Sequence, residues 1–165
     1  MNEQHLLVSA RFDGGEKEKF AREIHKELCA LRVNAFMVEA LAGDNFATQT
    51  VDGLDQMYAM LAVSYDTYGA KTTSKYSTYE ELKHAYGHGI PIIPLKLYSG
   101  DWPPAPEDSD GGRAGRAQNK FVFEPGLVYV HGVGKSALKC AQEVKEALAH
   151  LEAAGKIPVG ASASP

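Results

Sequence analysis

Tryptophan occurs once and cysteine twice in these 165 residues, and no apolar run approaches the length of a membrane span. Each scarcity excludes something. Cys29 and Cys140 lie far apart, each inside a stretch with helical spacing. That pattern fits buried free thiols in a reducing compartment, not a disulfide framework. A spanning helix needs about 20 consecutive apolar residues, so no membrane is expected as a partner. An excess of basic charge is also missing: 17 Lys and Arg stand against 21 Asp and Glu, for a net charge of -4. No global attraction to nucleic acid or to anionic lipid follows. The opening MNEQHLLVSARFDGG lacks the basic start and long apolar region of a secretory leader. The expected location is therefore the cytoplasm.

What is present is the composition of an ordinary globular domain, 44% apolar and 23% charged, and long enough for one full core. His5 to Ala10 is an apolar run of β-formers ending at a turn, Asp13-Gly14-Gly15. From Glu16 to Leu31 the apolar residues Phe20, Ile24, Leu28 and Leu31 fall on one helical stripe. Val33 to Ala40 reads as a strand, and Phe46 to Met60 as a weaker helix with Val51, Leu54, Met57 and Tyr58 on its apolar face. Leu61 to Ser64 is a short strand and Tyr65 to Lys75 a polar loop. Ser77 to Gly87 is helical and ends at Gly87-His88-Gly89. Pro91 to Leu97 reads as a buried strand whose two prolines point to an edge or to strand ends. Residues 98–120, rich in Pro, Gly and charge, read as one long exposed loop. Leu127 to Val130 is a fifth strand, Ser136 to Ala153 a last helix, and residues 156–165 a disordered tail after a single domain over 1–155. Strands alternating with helices predict an α/β fold: a five-stranded parallel sheet with helices on both faces.

Several motifs invite chemistry and have plainer readings. Gly132-Val133-Gly134-Lys135-Ser136 looks like the end of a phosphate-binding P-loop, but the required earlier glycine is replaced by Tyr129. A strand-to-helix turn capped by Ser136 or a neighbour accounts for it. His84 and His88 are four apart, yet His88 lies past the helix-ending glycine and no cysteine completes a metal spacing. No metal is expected. No serine sits in a G-x-S-x-G elbow.

The adjacent carboxylates Glu80 and Glu81 remain. Ser77-Thr78-Tyr79-Glu80 fits a capping box, with Ser77 as N-cap and Glu80 three positions on. Glu81 lies outside the box, on the same side as Ala85, a small residue that leaves room beside it. Its plain reading is a solvated first-turn glutamate favoured by the helix dipole. Its position beside the carboxyl end of a strand is also where open α/β sheets bind ligands.

Four segments together resemble the Toll/interleukin-1 receptor (TIR) domain family: HLLVSARFD, AFMVEALAGDNF, MLAVSYDTYGAKTTSKYSTYEELKHA and GIPIIPL. The likeness runs from about His5 to Ala154. It implies a flavodoxin-like doubly wound sheet of five parallel strands. It also implies one of two functions: homotypic TIR–TIR self-association as an adaptor, or cleavage of NAD at the nicotinamide–ribose bond. In the NAD-cleaving branch the essential carboxylate is the glutamate of a Glu-Leu or Glu-Ile helix. That is Glu81 here, in Glu81-Leu82. A tryptophan commonly stands four residues before it. That place is Ser77, and shifting the register by one makes Glu80 the match with Tyr76 in the tryptophan's place. The resemblance implies NAD as substrate, no cofactor, and Ser9, Arg11, Phe12, Gly43, Asp44, Tyr76 and Ser77 around it. Arg11 would pair with the diphosphate, and Phe12 or Tyr76 would stack on a ring. A module that binds a nucleotide without turning it over is a third possibility.

Overall fold

A computed structural model describes residues 4–12, 14–38, 45–72, 77–107, 112–124 and 126–161. Strands and helices alternate along the chain: β1 (His5–Ser9), α1 (Glu16–Ala30), β2 (Ala35–Phe36), α2 (Phe46–Asp55), β3 (Met57–Ser64), α3 (Thr78–Gly87), β4 (Ile92–Lys96), α4 (Gly112–Val122), β5 (Val130–His131) and α5 (Ala137–Ala153). The five strands form one parallel sheet in the order β2-β1-β3-β4-β5. The parallel sheet is the one expected from the alternation, and its strand order is the flavodoxin-like one that the resemblance implies. No helix among the described residues is long and apolar enough to cross a membrane.

The central strands β1 and β3 are buried along their whole length, which is why their sequences are continuous apolar runs. Successive side chains on a strand point to opposite faces, and β1 feeds two cores. Leu6 and Val8 pack with Ile24 and Leu28 of α1 and Val144 and Leu148 of α5. Leu7 packs on the other face with Met60, with Leu82 and Ala85 of α3, and with Val122 of α4. Full burial of each leucine contributes roughly 1.5–3 kcal/mol, so the sheet is held from both sides. On the second face α2 comes very close to the sheet at Gly53. A Cβ there would lie 2.8 Å from the Phe36 ring.

Several boundaries depart from the sequence reading, each for a physical reason. The helix expected over Phe46–Met60 stops at Asp55, and β3 begins at Met57, four residues before the expected Leu61. Met57 and Tyr58 continue the helical spacing of Leu54. A short apolar run does not distinguish helix from strand, and pairing with β1 from His5↔Met57 to Ser9↔Ala62 decides for strand. Of the strand expected over Val33–Ala40, only Ala35–Phe36 is strand among the described residues, and Glu39 and Ala40 lie outside them. Val51, read on the apolar face of the second helix, is 52% exposed. Cys140 is a buried free thiol as expected, but Cys29 is exposed.

The proline-containing strand β4 is not an edge; it lies between β3 and β5. The Pro91 carbonyl and the Leu97 N–H both face β3, whereas the Lys96 carbonyl faces β5. By alternation Pro94 faces β5, and the β5 ladder starts only at Leu95. Its missing donor therefore falls just outside the pairing.

The largest departure is in residues 98–120. Instead of one exposed loop, this stretch contains most of α4, with Gly115 and Asn119 buried. Ahead of the helix, Pro104 and Pro106 are buried as well. The tail also begins ordered. Ile157 is buried, and the Tyr58 hydroxyl donates to the Ala161 carbonyl at 3.0 Å.

Gly115 shows why α4 sits where it does. A Cβ there would lie 2.6 Å from the Gly69 carbonyl oxygen and 3.1 Å from Ala70 Cα, both backbone atoms that cannot swing away. Helix propensity alone favours Gly→Ala by about 1 kcal/mol, but overpacking costs typically about 1–3 kcal/mol. Gly115→Ala is expected to destabilise the domain on balance, read as a lower urea midpoint. A raised midpoint would mean that α4 is not packed on this loop.

Candidate functional site

In a sheet of order 2-1-3-4-5 the strand order reverses between β1 and β3, and ligands of such folds bind at the carboxyl ends of the strands there. Ser9 is the last residue of β1, and Tyr68 lies four residues beyond the end of β3. Glu81 is in the first turn of α3, the helix that follows. These three side chains meet. Ser9 Oγ donates to Glu81 Oε1 at 2.8 Å and lies 2.7 Å from the Tyr68 hydroxyl.

Local bonds fix the geometry. Ser77 caps α3: its Oγ accepts from the Glu80 N–H at 3.4 Å, and its carbonyl accepts from the Glu81 N–H at 3.0 Å. Thr78 Oγ1 accepts from the Gly69 N–H at 2.9 Å, tying the segment after β3 to the helix start. From α4, Asn119 Nδ2 donates to the carbonyls of Tyr68 and Pro104, both at 2.8 Å. Asn119 Oδ1 is buried without a hydrogen-bond partner among the described residues and abuts Gly69: a Cβ there would lie 2.3 Å from it. Only glycine, at φ +88°, fits that point of the chain.

Glu81 is not the solvated glutamate of the plain reading. It is 5% exposed, and Ala85, expected to leave space beside it, is packed into the second core. Burial pushes its carboxyl up from 4.5 to about 8, and the Ser9 hydrogen bond opposes that rise. At neutral pH the free protein therefore holds Glu81 mostly protonated. Burial, followed by the nearby Glu81 charge, also raises the Tyr68 hydroxyl well above its usual value.

The other expected residues divide. Ser77 is a buried N-cap, so its hydroxyl is committed to the helix. Arg11 is exposed and lines a cleft of about 340 Å³ with Asp66, Thr67, Thr72 and Glu107. Glu81 is not among that cleft's lining residues, so Arg11 and Glu81 do not share its wall as expected. Tyr68 links the two: it lines a smaller pocket with Arg11 while bonded through Ser9 to Glu81. Phe12 is half-buried against the α1-side core, with the Arg22 guanidinium 5.1 Å from its ring centroid. One face of that ring is thus already covered. Gly43, Asp44 and Tyr76 lie outside the described residues.

Tyr68 and Asn119 were not singled out in the sequence. Tyr68 stands in a loop without period, and Asn119 in a stretch whose Gly and charge content argued against a helix. The glycine-lysine-serine motif proves to be a turn into α5. Ser136 Oγ accepts from the Lys139 N–H at 3.1 Å, and Lys135 Nζ is held 2.9 Å from both carboxylate oxygens of Glu143. Among the described residues, no three His, Cys, Asp or Glu side chains gather as a metal site. No family model matches the chain, and no curated protein matches it.

The raised Glu81 carboxyl has a sign that can be checked. Its contribution to folding is fully present below the unfolded value near 4.5 and is lost as pH rises through about 8. His5, lowered by burial, titrates the opposite way, but it is common to wild type and variant. The stability of Glu81→Gln relative to wild type should therefore rise between pH 5 and pH 9, by on the order of a few kcal/mol. Urea melts across that range test it, and a difference independent of pH would contradict the burial of an ionisable Glu81.

Proposed function

We propose that this chain is a TIR-type signalling domain of the cytoplasm that cleaves NAD at the nicotinamide–ribose bond. The products are nicotinamide and ADP-ribose or a cyclised form. One observation carries the reading: a desolvated carboxyl group, Glu81, held by Ser9 at the strand-order reversal of a flavodoxin-like sheet. It is the glutamate that the TIR resemblance assigns to catalysis, and it occupies the place where such sheets bind ligands.

The chemistry suits one carboxylate. When the ribose–nitrogen bond breaks, its electron pair leaves with nicotinamide, and positive charge develops on the ribose. A carboxylate at a water-poor site stabilises that charge strongly and can also hold the ribose hydroxyls. Water then adds to the ribose carbon and releases a proton, or an adenine nitrogen closes the ring. Nicotinamide leaves as a neutral molecule, so no acid and no metal is required. The pyridinium charge of NAD favours the ionised form of Glu81 on binding, since an opposite charge nearby lowers a carboxyl pKa. Arg11 on the cleft rim is suited to the diphosphate. Gly43, Asp44 and Tyr76 complete the substrate-binding set that the resemblance implies.

A second reading, a non-catalytic module acting by self-association, is favoured by a different feature. Tyr86 at the end of α3 and Phe121 on α4 are 50% and 68% exposed and pack edge to face with ring centroids 5.5 Å apart. They leave an apolar ridge on the surface away from Glu81's end of α3.

Nicotinamide release from NAD by the concentrated domain separates the two. Wild type should release it, and Glu81→Gln should lower kcat/KM by on the order of 10²–10³-fold, with Glu80→Gln nearly unchanged. Loss in Glu80→Gln with retention in Glu81→Gln would reverse the register; no release by wild type would leave the adaptor reading. For wild type, kcat/KM should climb with pH as Glu81 ionises and level off above about 8. A profile flat from pH 5 to 9 would contradict a Glu81 carboxylate.

A further inference from the structure

We infer that Tyr68 and Ser9 form an ordered donor relay that holds Glu81 and controls its proton, which makes both of them positioning residues of the site. Their part in catalysis rests on the NAD-cleaving reading above; their hold on Glu81 does not.

The direction of the relay follows from proton counting. Ser9 has one hydroxyl proton and donates it to Glu81 Oε1 at 2.8 Å. Toward the Tyr68 oxygen, 2.7 Å away, Ser9 Oγ can then only accept. With Glu81 ionised, the Tyr68 O–H must therefore donate. An ionised Glu81 accepts only, so this order, Tyr68 to Ser9 to Glu81, is the one its charged state requires. Each donor polarises the next, and chains of this kind strengthen cooperatively in a low dielectric.

Water does not replace a lost link here. Ser9 is 0%, Tyr68 1% and Glu81 5% exposed. The backbone of Tyr68 is held independently of its hydroxyl. Its N–H donates to the Tyr65 carbonyl at 3.1 Å and its carbonyl accepts from Asn119, while its ring packs near Phe123, with centroids 6.3 Å apart. Removing the hydroxyl alone thus leaves the scaffold in place. Among the described residues, the surrounding elements supply few competing groups. α3 itself carries Glu80, Lys83 and His84; α2 sets Asp55 beside His84; and Arg11 after β1 and Lys17 of α1 line the pocket beside Tyr68. α4 reaches this corner through the neutral amides of Gln118 and Asn119. The relay is thus the main polar support of an ionised Glu81.

The test is a ¹³C titration of the Glu81 carboxyl in the full chain, run on wild type, Tyr68→Phe and Ser9→Ala, beside the pH profile of NAD cleavage. The midpoint should move up by roughly 0.5 unit or more in Tyr68→Phe and further in Ser9→Ala, because a donor to the charged form is lost. At pH 7, kcat/KM should fall roughly threefold and tenfold respectively, and recover as pH rises past the new midpoint. A merely structural role would lower activity at every pH and leave the midpoint in place. Unmoved midpoints in the folded variants would overturn the relay. A shift in Ser9→Ala without one in Tyr68→Phe would overturn the tyrosine's part. Should Ser9→Ala fail to fold, Tyr68→Phe alone decides. Shifted midpoints in a wild-type background that never cleaves NAD would sink the NAD reading and leave the relay standing.

Discussion

A carboxyl group taken out of water at the first turn of a helix needs a reason and a partner. Desolvating a charge is expensive unless hydrogen bonds compensate, and among the described residues Glu81 has one such side-chain bond, from Ser9. That bond joins the end of the first strand to the start of the third helix, two elements 72 residues apart in sequence. It exists only because the sheet places β1 beside β3 and the chain crosses over to bring α3 back against them. The same bond keeps the carboxyl from rising further than it does. Structure and chemistry therefore depend on one contact.

The neighbourhood is arranged to keep that contact rigid. The segment after β3 is pinned twice, by Thr78 at the helix start and by Asn119 from α4. Gly115 lets its backbone approach that of Gly69 and Ala70, and Gly69 leaves room for the Asn119 side chain, at distances that a Cβ would not permit. Among the described residues Asn119 finds no partner for its Oδ1, a cost of about 1–3 kcal/mol. Its two donated bonds, to Tyr68 and Pro104, hold two separate loops together in return. A stretch that reads as a surface loop is thus part of the wall behind the site.

Much of the fold was legible in the residues. Alternating apolar runs and helical stripes led to the parallel sheet, and the α1 stripe through Ile24 and Leu28 is buried as its spacing requires. Ser77 was recognisable as a cap because the capping residue and its acceptor geometry are local. What escaped was non-local. The start of β3 at Met57 depends on pairing with β1, and α4 is tied through Asn119 to a segment 51 residues earlier. At the site, the first-turn position of Glu81 was readable, but its burial was not. Burial comes from β1, the Tyr68 segment and the packing of Ala85, none of which is near Glu81 in a sequence pattern except the last. Tyr68 carried no signal at all until the fold placed it beside Ser9.

On the proposed function, the reacting end of NAD comes to rest against Glu81. A carbocyclic NAD analogue keeps the pyridinium charge but does not cleave, so it can be held on the protein during a titration. With it bound, the ¹³C midpoint of the Glu81 carboxyl should fall well below its free value of about 8, because a cation within a few ångströms favours the carboxylate. A midpoint unchanged at saturating analogue would put the pyridinium elsewhere and contradict the account.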